Sequence, residues 1–367
     1  MTTQLIAILG AGGVGKTTTS AALGLALADQ GYRVVVITVD PARRLAQALG
    51  LESLSNQPQT VFENLENSGR LEALWLEPQS ALKELVQKST SSLEEANFIL
   101  ENRLFKILQS QLGGIEEYLG VEKLLTLKRL NKFHFCILDT PPSRHAIDFI
   151  ESPKHILKFF DESILKFFMS DQSGNDEKQN SGPAAFFKKL LSVGRNQALD
   201  LFRNFLGRTF LTELAVLLTR LKPLHKHFTQ TAEEIEKWVT DPETNFVLVA
   251  APEKYPVLEA KNLSNELRIR DLAPPALWIL NRGFPESPAP TDALLGQKLN
   301  SDQIFRIKSK LASQIAIVDG IKTDLTGTNS KLVTLTRFSV RQLTRDQLMI
   351  LGREILKTWK PKSKAEK

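Results

Sequence analysis

The feature that most constrains this chain is a glycine-rich segment directly after a short apolar run near the N-terminus. Residues 4–9 (QLIAIL) predict a buried parallel strand. The segment GAGGVGKTT follows at 10–18, and an Ala- and Leu-rich run then predicts a helix over 16–30 with Gly31 after its end. A glycine loop between a buried strand and a helix is typical of sites that bind phosphate groups.

The glycine loop fits two phosphate-binding patterns. As G-x-x-x-x-G-K-T it is a P-loop, in which backbone N–H groups surround a nucleotide's phosphates. As G-x-G-x-x-G it also fits the dinucleotide-binding fingerprint, with Asp40 near the place of a ribose-binding acid. The first helical turn favours the P-loop, because Lys16 would reach the β and γ oxygens and the Thr17 hydroxyl would ligate Mg²⁺. A dinucleotide-binding protein stays as the minor alternative.

We therefore predict that the chain binds ATP with Mg²⁺. A second acid is needed to hold the metal, and it should end a buried strand beside the first. Asp139 closes the apolar run 133–138 and meets this requirement, whereas helix N-capping is its alternative role. The predicted nucleotide-binding residues of the loop are Gly10, Gly12, Gly13, Val14, Gly15, Lys16, Thr17 and Thr18, and the predicted metal-site residues are Thr17 and Asp139.

Alternating strand and helix patterns predict an α/β fold with a doubly wound, mostly parallel sheet. We predict one domain over 1–356, with helical insertions at about 80–130 and 153–239, a polar loop at 170–182 and a basic C-terminal tail at 357–367. The predicted strands are 4–9, 33–39, 72–76, 133–138, 246–250 and 276–280, with weaker candidates at 315–318 and 331–335.

Composition narrows the function classes. The net charge of +6 is small for 367 residues and does not indicate a nucleic-acid partner. The single cysteine, Cys136, lies in an apolar run, so the chain can form neither an internal disulfide nor a zinc site of paired cysteines. A reducing, cytoplasmic location fits this composition. No stretch of about 18 apolar residues predicts a membrane span.

Four motifs in order along the chain resemble one family. The segments GAGGVGKTT, DPARRLAQALG at 40–50, DTPPSRHAIDF at 139–149 and WILNRG at 278–283 are similar to those of the arsenite-pump ATPases and the tail-anchored-protein targeting ATPases. The resemblance is strongest to their bacterial relatives, the anion-transporting ATPases with a deviant P-loop, and it extends to about residue 355.

The resemblance implies a P-loop ATPase that works as a homodimer. It implies that Lys16 and Asp40 are catalytic, with Asp40 positioning the attacking water, and that 139–145 is a switch that follows the γ-phosphate. It also implies that Asn281 reads adenine and that Pro252, beside Glu253, flanks the base; a strand-end or capping role is the alternative for Asn281.

Three departures from the family pattern change what we expect. One buried Cys136 cannot supply the thiolates that bind arsenite, so arsenite is not an expected ligand, and no zinc is expected at a dimer interface. Ala11 replaces the lysine that reaches the partner's phosphates, so hydrolysis is expected to be slow unless another cation substitutes. The candidate substitutes are Arg43, Arg44 and Arg144.

The helical insertions are apolar enough to support two interpretations. They either pack as an ordinary core or form a groove for an apolar client helix or a membrane-protein partner. Two functions are then possible. The chain is either an ATPase that drives transport or targeting of that partner, or a nucleotide-gated binding module with little or no hydrolysis.

Overall fold

The computed structural model describes residues 3–39, 43–106, 115–142, 147, 151–152, 213, 216–217, 219–283, 301–337 and 343–361. Asp40, Arg144, the predicted loop at 170–182 and the end of the basic tail from 362 lie outside these described residues.

Eight strands form one sheet in the order β3-β4-β2-β5-β1-β6-β7-β8. All neighbours are parallel except β3 and β4, which pair antiparallel at one edge. The sheet confirms the predicted α/β class. The strands are β1 Gln4–Gly10, β2 Arg33–Thr38, β3 Gln59–Asn64, β4 Gly69–Trp75, β5 Phe135–Asp139, β6 Asn245–Ala250, β7 Leu277–Gly283 and β8 Lys331–Thr336.

Nine helices have both ends within the described residues. They are α1 Lys16–Asp29, α2 Arg43–Ala48, α3 Pro78–Ser89, α4 Leu93–Glu101, α5 Ile115–Arg129, α6 Lys222–Val239, α7 Lys254–Ile269, α8 Ser301–Asp324 and α9 Arg345–Thr358. None of the helices among the residues just given is both long and apolar enough to cross a membrane.

The central strands are continuous apolar runs because helices cover both faces of the sheet. Every residue of β1, β5 and β6 is buried, as expected for parallel strands in the middle of such a sheet. Alternate side chains enter two separate clusters: Ile6 and Ile8 point into one, and Leu5 and Ala7 into the other. The core therefore consists of one layer on each face of the sheet.

Helix α1 is buried on most of its surface and lies between the sheet and α9. Gly24 allows it to approach the sheet, since a Cβ there would lie 2.9 Å from both Leu71 Cδ1 and Val36 Cγ2. Its C-terminal end matches the sequence prediction within one residue: Gln30 is the C-cap, and Gly31 follows with φ 94°, a left-handed conformation that favours glycine.

One strand prediction was wrong, and one strand was not predicted. The weak candidate at 315–318 lies inside α8, because a short apolar run can belong equally to a helix. The edge strand β3 was missed. Its residues are mostly half-buried or exposed, and an antiparallel edge with one solvated face lacks the continuous apolar run that marks a central strand.

The described residues divide into two compact units. The first contains the sheet and consists of Met1–Pro78, Leu119–Glu151 and Glu234–Lys367. The second consists of Gln79–Tyr118 and Ser152–Glu233. Where the structure describes it, the second unit is helical, and an edge-to-face pair between Tyr118 and Phe228 packs in its interior, with ring centroids 4.9 Å apart.

Candidate nucleotide-binding site

A cavity of about 670 Å³ opens at the carboxyl ends of the central strands. The chain leaves β1 toward one edge of the sheet and leaves β6 toward the other. In open α/β sheets, ligands bind beside such a point of reversal. The volume suits a small ligand such as a nucleotide. The loop residues that line it are Gly12, Gly13, Gly15, Lys16, Thr17 and Thr18.

The loop needs glycine at three of the predicted positions for different reasons. At Gly10 a Cβ would lie 2.2 Å from the carbonyl oxygen of Val249 on β6, so no side chain fits. Gly13 and Gly15 have φ of 75° and 101°, where a side chain would be strained. These conformations turn the chain sharply between β1 and α1.

The N-terminus of α1 is prepared for an anion. Gly15 is its N-cap, no side chain caps it, and the first turn contains no acidic residue. The first N–H groups of a helix have no partner within the helix, and the helix dipole makes this end positive. Phosphate oxygens are suitable acceptors for these donors.

The Lys16 side chain folds back over the loop. Its Nζ atom donates hydrogen bonds to the carbonyl oxygens of Gly10 and Ala11, both at 3.0 Å, and the residue is only 8% exposed. The loop backbone therefore fixes the position of the ammonium group at the edge of the cavity.

Asp139 and Thr17, the two predicted metal-site residues, meet at the floor of the site. The Thr17 hydroxyl donates to Asp139 Oδ2 at 2.7 Å, and the Thr38 hydroxyl donates to the same oxygen at 3.1 Å. Asp139 ends β5, which lies between β1 and β2, so the sheet register brings these residues together. A hydroxyl and a carboxylate are hard oxygen donors of the kind that Mg²⁺ prefers, so these residues fit a magnesium ion.

Two predicted base-contacting residues lie in different surroundings. Asn281, two residues before the end of β7, is buried and its Nδ2 donates to the carbonyl oxygen of Val14 at 2.8 Å. Pro252 is half-buried after β6 and is not among the described residues that line the cavity. The role of either residue at adenine stays a prediction.

The structure adds residues that the sequence did not indicate. Arg282 lines the cavity and has φ 66°, which is rare for a residue other than glycine. The Thr140 hydroxyl donates to the carbonyl oxygen of Ile8 at 2.6 Å, fixing the chain after Asp139. In the sequence, Arg282 and Thr140 are marked only by their positions directly after Asn281 and Asp139.

The proposed substitute cations are only partly described. Arg44, in α2, lines the cavity and is exposed. Arg144 lies outside the described residues. Ala11 is 7% exposed and packs in the apolar core, so a lysine at this position would have to leave that core to reach any phosphate.

Cys136 lies in the middle of β5 and is fully buried. Burial raises the pKa of its thiol far above the usual range, and the nearby Lys128 only partly opposes this shift. A thiol that stays protonated is a poor soft-metal ligand.

Comparison with known proteins agrees with this geometry. Residues 3–173, which contain the loop, Thr17 and Asp139, match the family model of the anion-transporting ATPases. Over these residues the chain is similar to this ATPase family. The match agrees with the family expected from the sequence motifs.

Several known ATPases are similar to this chain over longer stretches. ATPase GET3 of Malassezia globosa is 27% identical over 208 residues, which are 56% of each chain. The ATPase ASNA1 homolog of Entamoeba histolytica is 25% identical over 272 residues, 72% of each chain. Putative arsenical pump-driving ATPase 2 of Aquifex aeolicus is 25% identical over 288 residues, 76% of this chain and 80% of that protein. The chain thus spans little more than half of the Malassezia protein.

Proposed function

We propose that this chain binds and hydrolyses ATP with Mg²⁺ in the cavity at the P-loop and couples the nucleotide to a partner. The observation that carries the proposal is the contact between Thr17 and Asp139 at 2.7 Å beneath the loop. It joins a hydroxyl and an acid from two parts of the chain at the place where a nucleotide's metal is needed.

The loop residues would bind and orient the triphosphate. Backbone N–H groups from Gly12 to Thr18 would surround the phosphate oxygens at the N-terminus of α1. The Lys16 ammonium would leave the carbonyl oxygens of Gly10 and Ala11 for phosphate oxygens, exchanging two neutral acceptors for charged ones.

Thr17, supported by Asp139, would hold Mg²⁺, which when bound neutralises charge on the phosphates. Asp40 would position the attacking water, as the family resemblance implies. Because Ala11 brings no cation from a partner subunit, turnover would be slow unless Arg44 or another cation substitutes.

The partner part of the proposal comes from the family. We propose a homodimer without zinc, located in the cytoplasm, that acts on a membrane-protein partner or an apolar client helix. Arsenite is not the proposed ligand, because the burial that raises the pKa of Cys136 keeps its thiol protonated. A nucleotide-gated binding module with little or no hydrolysis is the alternative.

The proposed activity is tested by calorimetry and by phosphate release. The parent is expected to bind ATP in a Mg²⁺-dependent way, whereas Lys16→Ala should weaken binding at least about a hundredfold, because it removes a charged contact worth about 3 kcal/mol. Lys331→Ala is the control, since Lys331 is exposed at the start of β8.

The outcomes separate the candidate functions. The ATPase is supported if the parent binds ATP and releases phosphate, whereas Lys16→Ala does neither. ATP binding without phosphate release would support the nucleotide-gated module. Binding of a nicotinamide dinucleotide in place of ATP would replace the proposal with the dinucleotide alternative.

A further inference from the structure

Asn281 is connected to the phosphate-binding loop although it is far from the loop in sequence. It ends a buried stretch of β7, and its side chain crosses to the loop, where Nδ2 donates to the carbonyl oxygen of Val14 at 2.8 Å. The residue is 7% exposed, so water competes little for this hydrogen bond.

A second hydrogen bond fixes the orientation of the Asn281 amide. Its Oδ1 accepts from the backbone N–H of Arg282 at 3.0 Å. If the amide were turned over, its oxygen would face the Val14 carbonyl and its NH₂ would face the Arg282 N–H. Both contacts would then be repulsive, so the network assigns Nδ2 to Val14.

The loop provides space for this amide by having glycine next to Val14. A Cβ on Gly15 would lie 2.1 Å from Asn281 Nδ2. Gly15 is therefore needed for its φ of 101° and also because any side chain would displace Asn281.

The hydrogen bond determines where one phosphate-binding N–H group points. In a trans peptide the C=O of Val14 and the N–H of Gly15 point in opposite directions. Asn281 holds the carbonyl oxygen toward β7, so the Gly15 N–H points away from β7, and Gly15 lines the cavity.

We infer that Asn281 is a positioning residue that orients the Val14–Gly15 peptide group for binding the phosphates of the nucleotide. This inference rests on the proposed function and deepens it. The ligand class that Asn281 serves is then a polyphosphate with Mg²⁺, whatever base it carries. A residue that only reads adenine would leave a polyphosphate without a base unaffected.

The test measures binding of ATP, GTP and inorganic tripolyphosphate, each with Mg²⁺, to the full chain by calorimetry. We expect Asn281→Ala to weaken all three by a similar factor of about ten, the value of one hydrogen bond. Asn245→Ala is the matched control: Asn245 is also buried, and its Nδ2 donates to the carbonyl oxygen of Glu243 at 2.9 Å, at the amino end of β6. This variant should bind all three ligands like the parent.

A second measurement examines the loop without any ligand. Labelling Val with ¹³C at the carbonyl and Gly with ¹⁵N selects only the peptide groups Val14–Gly15 and Val193–Gly194 for NMR. Losing the donor to the Val14 carbonyl should shift the Gly15 signal in Asn281→Ala and leave the Gly194 signal in place.

Unchanged tripolyphosphate affinity in Asn281→Ala would overturn the inference, whatever happens to ATP. An equal loss of affinity in Asn245→Ala would also overturn it, since the effect would then be general destabilisation. If the parent binds neither ATP nor tripolyphosphate, the proposed function fails and the polyphosphate role of Asn281 fails with it. In that case a shifted Gly15 signal would still support the hydrogen bond between Asn281 and Val14, but no role in phosphate binding.

Discussion

At the scale of single residues, the site combines backbone strain with charge. Arg282 has φ 66° and lines the cavity. A left-handed conformation costs an ordinary L-residue on the order of 1 kcal/mol. Its N–H donates to Asn281 Oδ1, so the same conformation that strains Arg282 helps to fix the Asn281 amide.

Replacing Arg282 should therefore separate stability from binding. We expect Arg282→Gly to raise the free energy of unfolding by about 0.5–1 kcal/mol, because glycine adopts positive φ without a clash. The same variant should bind Mg²⁺·ATP about tenfold less tightly, because the cavity loses a guanidinium group. Chemical denaturation and calorimetry measure the two effects.

Asp271 provides the matched control for Arg282. It also has positive φ, 55°, and follows α7. Asp271→Gly should relieve a smaller strain, since aspartate tolerates this conformation better than arginine, and it should leave ATP affinity unchanged. Parent-like ATP affinity in Arg282→Gly would show that this arginine does not contribute to the cavity.

At the scale of elements, close packing of α1 against α9 holds the helix that begins at the phosphate loop. Gly352 of α9 makes this packing possible: a Cβ there would lie 2.1 Å from the carbonyl oxygen of Ala22 and 2.6 Å from Ala26 Cβ. Neither neighbour can move away easily, because both belong to the α1 backbone or to its first side-chain atom.

Gly352→Ala should lower the free energy of unfolding by about 1–3 kcal/mol, since it forces two packed helices apart. Gly320→Ala is the contrasting variant, because Gly320 lies in α8 with nothing within 4 Å of a new Cβ. It should raise the free energy of unfolding by about 0.5–1 kcal/mol, the gain in helix propensity. Equal effects of the two changes in urea denaturation would contradict the packing explanation.

At the scale of the whole molecule, His134 makes stability depend on pH. Its ring is half-buried directly before β5 and accepts a hydrogen bond from the Arg33 N–H at 2.8 Å. Loss of solvation on burial lowers the pKa of His134 below its ordinary value of 6.5, and the positive charge of Arg33 lowers it further. The unfolded chain therefore takes up the proton first as the pH falls.

The free energy of unfolding should accordingly carry the full His134 contribution above about pH 6.5 and lose it as the pH falls from 6.5 toward the lower pKa of the folded state. His134→Asn removes this titration, so its stability should fall less steeply with decreasing pH over that range. Urea denaturation at several pH values measures the slope, and identical slopes for parent and variant would show that His134 does not contribute.

Much of the fold and half of the candidate site could be predicted from local sequence. The continuous apolar runs predicted six of the eight strands firmly and β8 weakly, and the glycine loop predicted the start of α1. The sequence placed Asp139 at a strand end, where the structure shows it bonded to Thr17. It could not find β3, whose half-exposed residues carry no clear period.

The amino-acid sequence alone determined the phosphate loop, because that motif needs particular residues at adjacent positions and little else. The residues that surround the loop follow from the tertiary fold. Arg282 lines the cavity, and Asn281 donates a hydrogen bond to the carbonyl oxygen of Val14, a residue 267 positions away in sequence. The tertiary fold also places Ala11 in the apolar core. Such contacts depend on the order and register of strands, which bring distant residues together and leave no mark in the local pattern.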